Sequence, residues 1–364
     1  MAGIYVHIPF CKSRCVYCDF YSTTSLSRRQ RYVDALCREL ELRSSYINER
    51  VRTIYLGGGT PSQLSDQQLV QLFQSLGTAE EVTIEVNPDD VTPEFADLLS
   101  RLPVNRVSMG AQTFNDERLR FLRRRHNASQ VPQAVSRLRQ AGIQNISVDL
   151  MYGFPEETMD EWLRDIDAAL ALDVEHLSAY ALQYEEGTPL YRMLENGEVS
   201  EVDEELSRQM YYALKDRLEA AGYEHYEISN FARPGRRSRH NSSYWHQTPY
   251  LGVGAAAHSF DGQNRQWNVA DINQYIEGIE QGTPVMEQEI LTPDNHYNEV
   301  VMTALRTCEG LALDGLSSDY RDYCLKQAEP FVLNGLLVRD GNHLRLSREG
   351  LFVSDMVMTE LMRV

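Results

Sequence analysis

The chain has 364 residues, and its 53 acidic side chains against 35 Lys and Arg leave a formal charge of −18. With 42 % hydrophobic residues it can bury a core, which excludes disorder for most of its length. No apolar run approaches the roughly 18 residues of a membrane span, no leader is evident in MAGIYVHIPF, and the charge opposes general nucleic-acid binding. A cytoplasmic protein is expected.

In chain order, short β-rich runs alternate with helical patterns. The predicted strands are Ile4–Ile8, Thr53–Leu56, Val82–Val86, Val104–Met109, Ile146–Met151 and His176–Ala181. Between them, Ser65 with Gln68 and Thr158 with Glu161 fit capping boxes, and Thr92-Pro93 fits an N-cap followed by proline. Val33, Leu36, Cys37 and Leu40 form an apolar stripe, which makes Cys37 a core residue. Val131, Ala134, Val135 and Leu138 form another, closed by Gly142. Six β/α units imply a parallel sheet with right-handed crossovers. Six is fewer than the eight that close a full barrel, so the expected class is α/β, a partial (β/α)6 barrel with function gathered at the C-terminal strand ends.

The rhythm breaks after Ala181. An acidic stretch leads to a helix at Leu206–Ala221, then to a Tyr-rich segment and a basic turn before His240. From Leu291 two helical segments, His296–Arg306 and Asp319–Asn334, precede a hairpin around Asp340-Gly341-Asn342. The expected domains are a core over 1–181, an extension over 182–290, and a C-terminal α+β winged-helix-like domain over 291–364.

Three of the six cysteines, Cys11, Cys15 and Cys18, fall within eight residues after the first strand. In a cytosolic chain such a cluster reads as metal binding. Three thiolates on one loop suit a [4Fe–4S] cluster with one iron free of protein ligands. The alternative is a structural zinc ion with His7 or Cys37 as fourth ligand. The second strand then runs into Gly57-Gly58-Gly59-Thr60-Pro61, a turn that lets backbone approach a ligand closely.

The cysteine loop and the glycine run together resemble the radical S-adenosylmethionine (SAM) superfamily. YVHIPFCKSRCVYCDF (5–20), LGGGTPS (56–62), TIEVNPDD (83–90), VSMGAQTF (107–114) and VDLMYGFP (148–155) resemble its oxygen-independent coproporphyrinogen III oxidase group, strongly from Tyr5 to about Ala181. The resemblance implies a cluster on Cys11, Cys15 and Cys18, with SAM met by Tyr5, Tyr17, Gly58, Gly59, Thr60, Glu85, Gln112, Arg124 and Asp149. Glu85 or Asp149 would accept hydrogen bonds from ribose hydroxyls.

Two departures separate the chain from the oxidases of that group. Phe20 stands where they carry a fourth cysteine, and only four residues precede Tyr5, where they have a long extension. His240-Asn241-Ser242-Ser243-Tyr244-Trp245 further resembles the motif of the group's heme-binding chaperone branch. The likeness implies a heme site at His240, Asn241, Tyr244 and Trp245, with His240 as axial ligand and His246 and His258 as competitors. Tyr244 and Trp245 would cover a porphyrin face. Arg118, Arg120, Arg123, Arg124 and Arg125, and Arg233, Arg236, Arg237 and Arg239, read mostly as solvated faces; the second stretch borders His240, where guanidinium groups pair well with propionates. The implied function is a heme chaperone that binds heme, a [4Fe–4S] cluster and SAM and serves heme-accepting proteins, including transient contact with membrane-bound acceptors. The alternative enzyme reading is oxidative decarboxylation of coproporphyrinogen III. A nucleic-acid-associated reading rests on the winged-helix-like tail alone, and the negative charge opposes it.

Overall fold

A computed structural model describes residues 2–364. The six expected strands form in place: β1 (Ala2–Ile8), β2 (Val51–Gly58), β3 (Glu81–Val86), β4 (Arg106–Gln112), β5 (Asn145–Tyr152) and β6 (His176–Ala181). They pair in parallel and in chain order. The crossovers carry α1 (Arg29–Leu42), α2 (Asp66–Leu76), α3 (Pro93–Arg101), α4 (Asp116–Phe121), α5 (Gln130–Gln140) and α6 (Met159–Ala171). Both capping boxes are present, and Thr92 caps α3 through the Phe95 N–H. These local signals fix where each crossover helix starts.

Alternation along the strands explains both faces of the sheet. Ile4, Val6, Ile8, Ile54, Leu56, Val82, Ile84, Val107, Met109, Ile146, Val148 and Leu177 belong to the main core with the helices. The intervening positions turn to the concave face. They are Tyr5 and His7, Tyr55, Thr83 and Glu85, Arg106 and Ser108, Ser147 and Asp149, and His176, Ser178 and Tyr180. The inside of the half-barrel is therefore polar and ionisable, although much of it is buried. Such groups persist only where they satisfy one another or meet a ligand.

The sheet extends further than six strands. After α7 (Pro189–Glu195) and α8 (Glu204–Ala220), the hairpin β7 (Glu224–Glu227) and β8 (Asn230–Ala232) adds antiparallel to β6. The chain then forms α9 (Arg239–Trp245) and returns to the other edge. There β9 (Tyr250–Val253) pairs parallel to β1, followed by β10 (His258–Phe260), β11 (Asn264–Asn268), α10 (Ile272–Glu280) and β12 (Met286–Ile290). Twelve strands result, in the order β12-β11-β10-β9-β1-β2-β3-β4-β5-β6-β8-β7.

A second apolar cluster lies toward the C-terminus, built from Tyr297, Val301, Leu305, Leu313, Cys324, Val357 and Leu361 among others. It joins α11 (Pro293–Leu305), α12 (Ser318–Leu333), α13 (Arg348–Phe352) and α14 (Ser354–Leu361) to a small sheet. That sheet holds β13 (Leu311–Ala312), β14 (Leu337–Asp340) and β15 (His343–Leu346), with the expected hairpin turn at Gly341. The module is the α+β unit with a small antiparallel sheet that the sequence leads one to expect. Among the described residues no helix is long and apolar enough to cross a membrane.

Candidate functional site

The C-terminal ends of β1–β6 open into one cavity of about 470 Å³, within the usual range of small-molecule sites. Cys11, Cys15 and Cys18 all line it, as do Tyr17, Gly58, Gly59, Thr60, Glu85, Gln112, Arg124 and Asp149. Of the residues expected to meet SAM, Tyr5 is the one outside its lining. It sits deeper on the concave face, with its hydroxyl 3.1 Å from His7 Nδ1.

None of the three cysteines is joined in a disulfide. Thr60 Oγ1 lies 3.7 Å from Cys11 Sγ, and an Arg124 nitrogen donates to Cys15 Sγ at 3.6 Å. Burial pushes the Cys11 thiol up and the Cys18 thiol to about 11, with neighbouring thiols adding to the rise. Thiols so placed keep their protons until a metal displaces them. The fourth ligands proposed for zinc lie elsewhere: neither His7 nor Cys37 lines the cavity. His7 is held by Tyr5 and the Tyr21 carbonyl, and Cys37 packs on α1 with its sulfur 4.0 Å from the Gln71 carbonyl of α2. Packing claims Cys37, as its apolar stripe implies.

The glycine run serves a different purpose from an open amide cradle. The Gly58 N–H is directed at Glu85 Oε2 at 3.2 Å, and the Gly59 N–H at the Ile8 carbonyl at 2.9 Å. A Cβ on Gly57 would stand 2.9 Å from Glu85 Oε1, and one on Gly59 would meet the backbone of residues 8–10 at 2.8–3.0 Å. The run lets β2 close against the start of the cysteine loop while holding the Glu85 carboxylate in place. Gly58 is the most constrained, with φ of +106° and His7 Nδ1 2.4 Å from a built Cβ. Gly58→Val is therefore a lesion in the fold as well as in the cavity. Backbone strain of this kind costs about 1–3 kcal/mol before His7 is displaced. Thermal denaturation should show a lowered midpoint in the absence of any ligand, and a native midpoint would refute this account.

Two carboxylates dominate the cavity floor. Tyr55 donates to Glu85 Oε1 at 2.7 Å, and Ser108 Oγ lies 3.4 Å from both Asp149 oxygens. Burial raises Glu85 to about 7, opposed by the Tyr55 and Gly58 hydrogen bonds and reinforced by Asp149. Burial raises Asp149 too, opposed by hydrogen bonds from Ser178 and Ser108 and by the charges of Arg106 and Arg124. Perturbed carboxyls inside a cleft are a mark of functional sites.

Arg124 crosses the cavity wall. It donates to Asn87 Oδ1 at 2.5 Å and to the Gly110 carbonyl at 2.6 Å. Gly110 permits this approach, since a Cβ there would stand 3.1 Å from the guanidinium. Next to it the β4–β5 register shifts, and Gln112 takes φ of +68°, a bulge that turns its side chain into the cavity. Asn87, Ser108, Gly110, Arg123 and Tyr180 also line the site and were missed from sequence. The inward alternation of β4 and β6 was the signal for Ser108 and Tyr180.

The segment beginning at His240 lies at the opposite end of the half-barrel and is helical. Ser238 caps α9, and the Glu81 carboxylate accepts the Arg239 and His240 N–H groups at 3.0 and 2.9 Å. His240 is 1 % exposed. One ring nitrogen meets Thr53 Oγ1 and the other Tyr244 Oη, each at 2.8 Å, and the ring stacks on Tyr55 at 5.1 Å. Burial, then the charge of Arg106, lowers its pKa to about 3, so the ring is neutral. With α9 in this position neither nitrogen is free for iron.

The aromatic and basic residues expected around it are also engaged. Tyr244 is packed edge-on to His240 and Tyr250, and the Arg306 guanidinium lies 4.9 Å over the Trp245 ring. Asn241 is half-buried behind the Ser238 cap. His246 is exposed, with Nδ1 2.7 Å from the Ser242 carbonyl and Nε2 without a protein partner. His258 stacks on Trp267 in the outer sheet. Arg233, Arg237 and Arg239 pair with Asp173, Glu224 and Glu309, and Glu80, and among the described residues Arg236 makes no ion pair. Arg118 and Arg125 of the first cluster are likewise ion-paired, to Glu157 and Glu161 and to Asp89 and Asp90, rather than simply solvated.

Comparison with known proteins places the chain by family and fold. Residues 5–169 match the radical SAM superfamily and residues 291–353 the HemN C-terminal domain. The protein named heme chaperone HemW of Mycobacterium tuberculosis (strain ATCC 25618 / H37Rv) is 36 % identical over 372 residues, covering 99 % of this chain and 94 % of that protein. Its namesake from Bacillus subtilis (strain 168) is 36 % identical over 88 % of this chain and 87 % of its own length. The structure of coproporphyrinogen III oxidase HemN from Escherichia coli superimposes with a TM-score of 0.85 at 23 % identity, over 99 % of this chain and 90 % of that one, and so shares its fold. With residues 5–169 matching the radical SAM superfamily and likeness to the chaperones running the length of the chain, the protein belongs to the HemW heme chaperone family of the radical SAM superfamily.

Proposed function

We propose that this chain binds heme at the α9 segment, holds a [4Fe–4S] cluster and SAM in the opposite cavity, and delivers heme to acceptor proteins. The observation that carries the reading is end-to-end likeness to relatives named heme chaperones. The cavity carries donors for the other two groups: three thiols line it, its floor presents two buried carboxylates and its wall is polar, although among the described residues no three His, Cys, Asp or Glu side chains stand together as a metal-binding group. When bound, the cluster supplies an iron without a protein ligand and a transferable electron. The protein's own residues then bind and orient. Cys11, Cys15 and Cys18 hold the metal, Arg124 fixes the Cys15 thiolate, Glu85 and Asp149 take the ribose hydroxyls, and Gln112 and Tyr17 complete the walls.

Phe20 is 62 % exposed on the rim of this cavity, so the place of the oxidases' fourth cysteine offers no thiol to the metal. For heme, His240 would hold the iron only if α9 lifted from the barrel floor, which would also free Tyr244, and Arg236 would take a propionate. The test combines two measurements on the reconstituted protein. Heme titration should give a saturable Soret band, and anaerobic incubation with coproporphyrinogen III, SAM and a reductant should yield no vinyl product. Vinyl formation at a catalytic rate would establish the oxidase instead.

A further inference from the structure

Arg106 begins β4 on the concave face, 1 % exposed, with Nε and both terminal nitrogens lacking a hydrogen-bond partner. A buried cation without a paired anion is strongly unfavourable unless nearby charge compensates it. The strand register gives three inward carboxylates near it, Glu81 and Glu85 of β3 and Asp149 of β5, and Glu81 is already engaged by the Arg239 and His240 N–H groups. Arg106 pairs with Thr83 of β3 and Asn145 of β5, one inward step below Ser108. Glu85 pairs with Ser108, and Asp149 with Gly110. The two buried carboxylates therefore stand on the strands either side of β4, above the guanidinium, and no direct ion pair among the described residues joins them to it.

We infer that Arg106 is a positioning residue of the SAM site, the buried counter-charge that keeps Glu85 and Asp149 ionised so that both can accept hydrogen bonds from the nucleoside. It acts through its field rather than through contact, and fields are strong in a low-dielectric interior. The inference rests on the reading of the cavity as a SAM site. Other groups facing Glu85 do not supply this charge. Tyr55 of β2, Tyr5 of β1 and Tyr244 of α9 are held neutral by burial, and Asp149 of β5 is of like sign. Arg124 acts on Asp149 from the wall. Arg106 opposes the burial of both carboxyls.

The test is SAM affinity of the cluster-loaded protein, measured anaerobically by calorimetry across pH. With Glu85 near 7, wild-type affinity should fall as the pH drops through about 7. Arg106→Met should move that midpoint up by about one pH unit and weaken binding near neutrality about tenfold, with recovery at alkaline pH. Arg106→Lys, which keeps the charge and loses the planar fork, should hold the midpoint near wild type. A merely structural role would instead weaken binding equally at every pH and in both variants.

A folded Arg106→Met protein with an unmoved midpoint overturns the inference alone. Wild-type protein that takes up a cluster and binds no SAM overturns the reading of the cavity and the inference with it. Where Arg106→Met is too unstable to purify, Arg106→Met/Glu85→Gln carries the test. Removing a carboxylate together with the cation should restore a folded chain, and failure to do so overturns the charge pairing.

Discussion

Serine at any one of Cys11, Cys15 or Cys18 should abolish the iron–sulfur chromophore and, with it, most of the affinity for SAM. The three thiols reach one cavity from a single loop, and no other cysteine approaches it. Hydroxyl oxygen is a poor substitute for thiolate on iron, so two remaining cysteines should not retain the cluster. Cys37, Cys308 and Cys324 provide the control. Cys37 packs between α1 and α2, Cys308 lies exposed beside Arg237 at 3.6 Å, and Cys324 is buried in the C-terminal core. Alanine at all three should leave iron content and the reduced-cluster EPR signal unchanged. Its cost should be confined to stability, of about 1–2 kcal/mol from buried Cys324 and half-buried Cys37. Loss of the cluster in that triple variant would mean that a fourth cysteine reaches the metal and would overturn the three-ligand assignment.

Much of this site was legible in the sequence because its signals are local. The cysteine spacing, the glycine run and the strand-end positions of Glu85, Gln112 and Asp149 each need only a few residues to be seen. Helix starts were legible for the same reason, since a capping box closes within one turn, as at Ser65 and Thr158. What escaped depends on distant pairing. The glycines serve His7 and Glu85, reached through strand register rather than through neighbouring sequence. The outer strands are short, and β9 joins β1 in parallel across more than half the chain. Similarly, α9 begins where it does partly because Glu81, on β3, accepts its first N–H groups. Nothing around residues 239–245 announces that carboxylate, and an aromatic segment without it reads as a loop. Nothing in the sequence around Arg106 sets it apart; the register alone places it below Glu85 and Asp149.

The position of α9 sets up the most discriminating test of the heme reading. His240→Ala removes a stacked, fully buried ring and leaves Thr53 and Tyr244 hydroxyls without their partner. Cavity and unsatisfied polar groups together should cost about 2–4 kcal/mol, read as a lowered urea midpoint, and heme affinity should be lost. That variant alone is ambiguous, because a loosened barrel floor also harms binding indirectly. Glu81→Gln separates the two causes. Its carboxylate holds the first turn of α9, and charged hydrogen bonds of this kind contribute about 1.5–3 kcal/mol. If His240 binds iron only after α9 lifts, heme affinity is reduced by the small population of the lifted state. Weakening the anchor raises that population, so Glu81→Gln should bind heme about tenfold more tightly while being less stable. His246→Ala, at an exposed ring, should change stability by less than about 0.5 kcal/mol and leave the Soret band in place. The opposite pattern, with Glu81→Gln neutral and His246→Ala blind to heme, would transfer the iron to His246 and leave His240 as a floor residue of the barrel.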